Sequence, residues 1–355
     1  MYSSLSEKLT DWAVTAVLWG FRIIVLLVVV GGSISTLLTG KYTGDHWRDF
    51  IVTGVALGSL YALIALGYTM VYGILRMINF AHGEIFMSGA FGAYFIADAL
   101  ADTGFMNQYP IPFLIIVIVF AMAVSTGVAL LVERIAYRRL RNAPRLVPLI
   151  SAIGASFFLQ YTFRGFFGPG LYAYPTPEVL EGFWTFLGFR ILKTQAAVIV
   201  SAIIMMSGLY IIVMRTRIGK AMRAVSEDKE TSALMGIDVN RVIVATFAIG
   251  AAMAGAAGVL YALLFRQVHY FVGFVPGIKA FTAAVLGGIG NIPGAMLGGL
   301  FLGLFESVGP ALFLDGLGIV APYQLKDAIA YTMLVLVLIF RPSGILGERL
   351  AAKKA

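Results

Sequence analysis

Residues 215–241 read RTRIGKAMRAVSEDKETSALMGIDVNR, a rare polar interruption in a chain that is otherwise apolar. In order, the stretch gives three helical pieces. Ile218 to Val225 forms a short basic amphipath, which takes in Ala224. Ser226 is a suitable N-cap, and Glu227, Asp228 and Glu230 crowd the next turn, where acids complement the helix dipole. Ala233, Leu234 and Ile237 fall on one face. Gly236 can take the left-handed conformation that stops the piece, and Asp238 caps the helix that follows. A short capped helix with a small apolar face, held between two membrane spans, has the form of a docking plug. A solvated loop lying on lipid headgroups is the competing reading.

The sequence on either side decides the fold class. Of 355 residues, 60% are hydrophobic and 12% charged, and the mean hydropathy is +0.90. No soluble domain of this length has that balance, so the chain is an all-α polytopic membrane protein in contact with the lipid bilayer. The absence of cysteine removes disulfides and thiolate metal sites. The net charge of +8 does not point to nucleic acid, because cytoplasmic loops of membrane proteins collect Lys and Arg.

Apolar runs predict ten crossings: Val14–Leu38, Phe50–Gly73, Glu84–Leu100, Pro112–Glu133, Leu146–Gly168, Gln195–Met214, Val242–Phe265, Gly273–Ile289, Gly294–Phe313 and Leu325–Phe340. The first is interrupted by Arg22. A signal-peptide reading of Ile23 to Val30 competes there, and the acids Glu7 and Asp11 argue for an uncleaved span. The basic clusters 134–145, 215–241 and 341–354 belong in the cytoplasm, which places both termini inside. A re-entrant 273–289 would force the basic C-terminus outside, so a full crossing is expected. Gly73 is expected to break the second span. Residues 169–193 form the largest outside loop. Small residues recur every fourth position at Gly54, Gly58 and Ala62, at Gly250, Ala254 and Gly258, and from Gly294 to Gly303, a spacing that lets helices approach closely in lipid.

The chain lacks a phosphate-binding loop and any His or Cys pair at metal-ligand spacing, so no metal site and no nucleotide site of its own are expected. Ionisable residues inside spans are functional candidates by default. Lys279 and Glu306 lie in successive spans and are expected to pair, with structural pairing favoured over a role in the path. Residues 72–84, YGILRMINFAHGE, interleave Asn79, His82 and Glu84 with apolar residues, as in a turn partly sunk at the inner mouth of a path. Glu84 is expected to satisfy the amides that open the next helix. Tyr61, Tyr68 and Tyr72 share one face of the preceding span, where packing is favoured over path lining.

Four motifs, in order, resemble a known family: GVALGSLYALIALGYTMVYGILRMINFAHGEIFMSG (54–89), LISAIGASFFLQ (149–160), GKAMRAVSEDKETSALMGIDVNRVIVATFAIGAAMAG (219–255) and KAFTAAVLGGIGNIPGAMLGGL (279–300). With the closing RPSGILG (341–347), they look like the H-type permease of high-affinity branched-chain amino acid ABC importers. The resemblance implies a bacterial inner-membrane subunit paired with a second, M-type permease, two cytoplasmic ATPases carrying ATP and Mg, and a periplasmic substrate-binding protein. It implies that residues 224–237 form the ATPase-coupling helix, with Glu227, Asp228 and Gly236 at recurrent family positions. Urea and short-amide importers use related permeases. A self-sufficient secondary transporter or channel is the reading from another class. Residues 1–45 extend beyond the family's usual N-terminus, 46–348 form the permease domain, and 349–355 a basic cytoplasmic tail.

Overall fold

The structure, a computed structural model, describes residues 2–347 apart from 142, 145 and 187. The tail 349–355 lies outside the described residues. Among the described residues there are thirteen α-helices: α1 Tyr2–Thr39, α2 Gly44–Leu75, α3 His82–Asp102, α4 Phe105–Gln108, α5 Pro110–Val132, α6 Leu146–Phe167, α7 Lys193–Arg215, α8 Arg217–Glu227, α9 Lys229–Leu234, α10 Val239–Phe265, α11 Phe274–Gly287, α12 Ile292–Gly309 and α13 Lys326–Phe340. Among the described residues, nine stretches are long and apolar enough to cross a membrane, and α11 is a shorter apolar helix. The fold is an all-α polytopic bundle. The long loop after α6 adds two short antiparallel pairings: β1 (Tyr172–Ala173) with β4 (Gln267–Val268), and the hairpin of β2 (Phe183–Phe186) with β3 (Phe189–Leu192).

Helices α2 and α10 are the most buried spans. In lipid there is no hydrophobic drive between helices, so close packing of small residues must hold them. Two of the three stripes expected from the sequence, on α2 and α12, meet each other. A Cβ on Gly58 would stand 2.8 Å from the Cα of Leu300, and one on Gly54 2.9 Å from the Cα of Leu304, so α2 and α12 touch backbone to backbone. On α10, a Cβ at Gly258 would stand 2.7 Å from the carbonyl oxygen of Phe86, and one at Gly255 2.5 Å from that of Ala121.

Helix α1 packs differently. Its C-terminal end is tied to the turn after α12, with the Thr36 hydroxyl donating to the carbonyls of Ala311 and Leu312 at 3.2 Å and Ser35 to Gly316 at 2.7 Å. Most of the side chains described along residues 12–39, including Trp12, Val17 and Leu27, are exposed. Arg22 lies over the rings of Trp19 and Phe340 at 4.8 and 4.3 Å, which gives a cation inside a span a favourable aromatic setting.

Two helices begin inside the bundle. Gly73 does not break α2, which continues to Leu75 and stops at Arg76 in the left-handed conformation (φ 55°). The reason is local: the Arg76 N–H bonds the Tyr72 carbonyl at 2.8 Å, closing the last turn one residue beyond the apolar run. The chain then doubles back, so that the His82 imidazole fills the space left by Gly67. Gly67 lies about 12 Å short of the end of α2, and α3 therefore starts deep in the bundle. Helix α11 has 14 residues, about 21 Å, too short for the ~30 Å hydrocarbon core. At its C-terminal end Ile345 and Leu346 donate to the carbonyls of Leu286 and Gly287 at 2.8 and 2.9 Å.

Candidate functional site

The 215–241 stretch folds into a braced, projecting tip. The Thr216 hydroxyl accepts from the Gly219 N–H at 3.2 Å and caps α8, whose Gly219, Met222 and Val225 are buried. Ser226 does not act as an N-cap. Helix α8 runs through it to Glu227, and its hydroxyl turns back to the Arg223 carbonyl at 2.7 Å. Asp228, in extended backbone, takes the cap instead, accepting from Glu230 N–H at 2.9 Å, Thr231 N–H at 3.1 Å and the Thr231 hydroxyl at 2.7 Å. A carboxylate can serve several donors at once where a serine hydroxyl serves one or two. Gly236 has φ 84°, and Ile237 N–H reaches back to Ser232 O at 3.1 Å, closing α9 as the sequence suggests. Asp238 then caps α10 through Arg241 N–H at 3.1 Å.

The tip carries its apolar side chains outward. Leu234 is 87% exposed and Met235 79%; Ala233 and Glu227 are exposed, and Ala224 and Ile237 half-buried. Met235 was missed from sequence because it falls off the face counted from Ala233, Leu234 and Ile237. Its place beside the helix-stopping glycine is the signal that would have found it. Basic groups surround the tip: Arg76 donates to the Ser226 carbonyl at 3.1 Å, and Arg141 to Asn240 Oδ1 at 2.6 Å. Partial burial, with Arg141 and Arg76 nearby, depresses the Lys229 ammonium below its usual range. Glu133 holds Arg138 at 2.8 Å and also pairs with Arg141, fixing the neighbouring loop.

The intramembrane polar residues divide into three places. Lys279 Nζ lies 2.7 Å from Glu306 Oε1, 5.7 Å from the Tyr61 ring centre and 3.5 Å from its hydroxyl. Asp327, at the start of α13, adds a second acid 2.6 Å from the same nitrogen, in ion-pair but not hydrogen-bond geometry. Asp327 was missed because it stands at a predicted span end, where acids are common.

Asn79 serves the turn before α3. Its Oδ1 accepts from the Ala81 N–H at 3.1 Å and the Tyr137 hydroxyl at 2.6 Å. Glu84, expected in that role, points elsewhere: its Oε1 accepts from Gln160 Nε2 at 2.6 Å and Ser156 at 3.4 Å on α6. As the third residue of α3 it projects sideways into the bundle, and Asn79 is the residue close enough to the exposed amide. Gln160 and Ser156 were missed, although they stand four apart within the 149–160 motif, on one face of a helix.

The third place is a cavity of about 200 Å³, whose walls include Tyr68, Glu84, Phe80, Ser156 and Phe274. His82 lies behind it, with its ring 4.7 Å from that of Tyr68. The structure thus brings Tyr68 and Glu84 to one cavity, puts Tyr61, Lys279 and Glu306 in a separate cluster, and leaves Asn79 in the turn.

A membrane bundle with a projecting cytoplasmic-type loop fits many transporters, and comparison with known proteins is decisive. The family described as branched-chain amino acid transport system, permease component, matches residues 50–338. The chain belongs to that family. The permease protein BraD of the high-affinity branched-chain amino acid transport system of Pseudomonas aeruginosa is 44% identical over 308 residues, covering 85% of this chain and 96% of that protein. LivH of Escherichia coli K12, of the same description, is 42% identical over 310 residues with the same coverage. The family match begins within α2 and leaves α1 outside it. As a permease of this family, the chain is a membrane transport subunit, and the motifs quoted from its sequence all fall inside the matched span or at its edge.

Proposed function

We propose that this permease is the H-type subunit of an ATP-binding-cassette importer that carries leucine, isoleucine and valine into the cytoplasm. The observation that supports the reading is the 44% and 42% identity, over 85% of this chain, with two permeases named for branched-chain amino acid transport. A second, M-type permease would complete the membrane part. Two cytoplasmic ATPases would bind ATP and Mg, and a periplasmic binding protein would deliver the amino acid. The chain itself binds no cofactor and hydrolyses nothing. Residues 46–348 are the transport unit, residues 1–45 an added peripheral anchor, and the membrane is a bacterial inner membrane with both termini inside.

The tip from Ala224 to Ile237 is the contact with the ATPase. ATP favours the closed ATPase pair, and a ligand shifts an equilibrium only by its differential affinity for the two states. That shift reaches the membrane through a rigid element, and α9 is suited to it: capped at both ends, anchored through α8, and presenting Leu234 and Met235 to a groove. The proline- and aromatic-rich loop after α6 faces the binding protein.

Substrate choice is tested on the binding protein encoded beside this chain. Calorimetry with leucine, urea and an aromatic amino acid is expected to give binding by leucine and none by urea. Urea binding without leucine binding overturns the substrate.

A further inference from the structure

Arg22 is a cation in the apolar helix α1, and among the described residues no acid, carbonyl or hydroxyl bonds its guanidinium. Its Nε is buried without a partner, while the side chain as a whole is half-buried, so the terminal nitrogens are the part that reaches the surface. The rings of Trp19 and Phe340, at 4.8 and 4.3 Å from Cζ, lie against the guanidinium and fix its plane. Stacking on rings leaves the N–H donors themselves unanswered, and an unanswered charge inside a span calls for a partner.

The depth of Arg22 narrows what that partner is. The apolar run Trp12–Thr39 has 28 residues, about 42 Å, which exceeds the ~30 Å hydrocarbon core, so a membrane boundary falls inside it. One end is held where Thr36 bonds Ala311 and Leu312, and Arg22 lies about 21 Å along the helix from there. Its neighbour at that depth, Phe340, is the last residue of α13, and the next residue, Arg341, is exposed. The segment 341–347 lies at the end of the bundle that carries α8: Asn291 Nδ2 donates to the Leu346 carbonyl at 3.0 Å, and Gly290 and Ile292 share a cleft with Met222 and Ser226. Arg22 therefore stands at the membrane boundary on the α8 side, with Trp19, a residue that interfaces collect, beside it. From Arg22 toward the bilayer centre, Leu26 and Val30 follow at spacings of four and eight on one helix face, and both are exposed.

We propose that Arg22 holds the phosphate of an anionic phospholipid of that leaflet. The guanidinium matches a phosphate with two parallel hydrogen bonds. Arg341, whose guanidinium has no partner among the described residues, supplies the second positive charge that favours an anionic over a zwitterionic headgroup. An acyl chain lies along Leu26 and Val30. Free phosphate would meet the same donors but gain nothing from that apolar run. Both arginines lie outside the residues 50–338 that the family matches, so the site belongs to what α1 adds to the permease.

The test is native mass spectrometry of the full-length chain, purified with its partner subunits, stripped of lipid and titrated with phosphatidylglycerol or with phosphatidylethanolamine of the same acyl chains. One phosphatidylglycerol is expected to bind more tightly than the rest, and more tightly than phosphatidylethanolamine. Arg22→Leu is expected to weaken that binding about tenfold or more, as loss of charge-assisted hydrogen bonds requires. Arg22→Lys keeps the charge without the planar fork and is expected to fall between the two. Arg48→Leu, the same charge change on α2, is expected to leave it unaltered. Equal phosphatidylglycerol binding by Arg22→Leu and the unaltered chain overturns the proposal. Equal binding of the two lipids overturns it too, as does displacement of phosphatidylglycerol by millimolar inorganic phosphate, which would make the site one for a soluble anion. Where Arg22→Leu fails to assemble, Phe340→Leu removes one stacking ring and is expected to weaken phosphatidylglycerol several-fold; unchanged binding in that variant contradicts the site.

Discussion

Lys279 has two acids and one aromatic ring around it, and its removal is not equivalent to removal of either acid. Lys279→Met leaves Glu306 and Asp327 facing each other with Lys326, 4.0 Å from Glu306, as the remaining cation. Breaking a buried pair by deleting one partner costs roughly 3–5 kcal/mol. Lys279→Met is therefore expected to lower the melting temperature in detergent more than Glu306→Gln, which leaves the Asp327 contact intact. The double variant is expected to fall between the two. Equal melting temperatures for both single variants would mean that Asp327 contributes nothing. The sequence shows the Lys279–Glu306 relation because both residues stand out within apolar runs. Asp327 and Gln160 are hidden from it because their importance comes from how helices far apart in the chain are placed. Glu84 shows the same limit: its position at a helix start suggests a cap, and only the placement of α6 reveals where its carboxylate points.

At the scale of the element, α9 depends on its ends. A β-branched residue at Gly236 would have to adopt φ 84°, a conformation that costs an L-residue about 1–2 kcal/mol. Gly236→Val is expected to leave insertion and abundance intact, to disturb the turn that sets the tip, and to uncouple ATP hydrolysis from uptake. Wild-type uptake per ATP hydrolysed in that variant would contradict the role given to the turn. Leu234→Asp is expected to weaken co-purification of the ATPases on the order of tenfold, by removing one large apolar anchor from a small contact; unchanged recovery of the ATPases would place the contact elsewhere. The capping glycine and Asp238 were legible in the sequence because local geometry alone dictates them. The move of the cap from Ser226 to Asp228 was not, since α8 is prolonged by packing its buried face against α7 and α10. The α2–α12 stripe is a case where pattern and packing agree. Gly58→Leu is expected to force the two backbones apart and to lose folded protein, at a cost of about 1–3 kcal/mol or more, measured as the fraction surviving gel filtration.

For the whole molecule, composition was enough for the class, the bilayer and most of the spans, because twenty apolar residues in a row have few other uses. The interruption of α3 and α11 in the middle of the bundle was only hinted at by glycine content. A half-length helix and a full one look alike in hydropathy when the missing part is itself apolar. The arrangement matters for function, since a continuous bundle of closely packed helices leaves no room for a polar ligand. As proposed above, this permease moves branched-chain amino acids only when ATPases drive it through the α8–α9 tip. The most direct measurement is leucine uptake by proteoliposomes containing this chain, its partner permease and the binding protein, with and without the ATPases and ATP. Uptake only when ATPases and ATP are both present is the expected result. Uphill uptake by the membrane subunits without ATPases, or by this chain alone, would contradict the account.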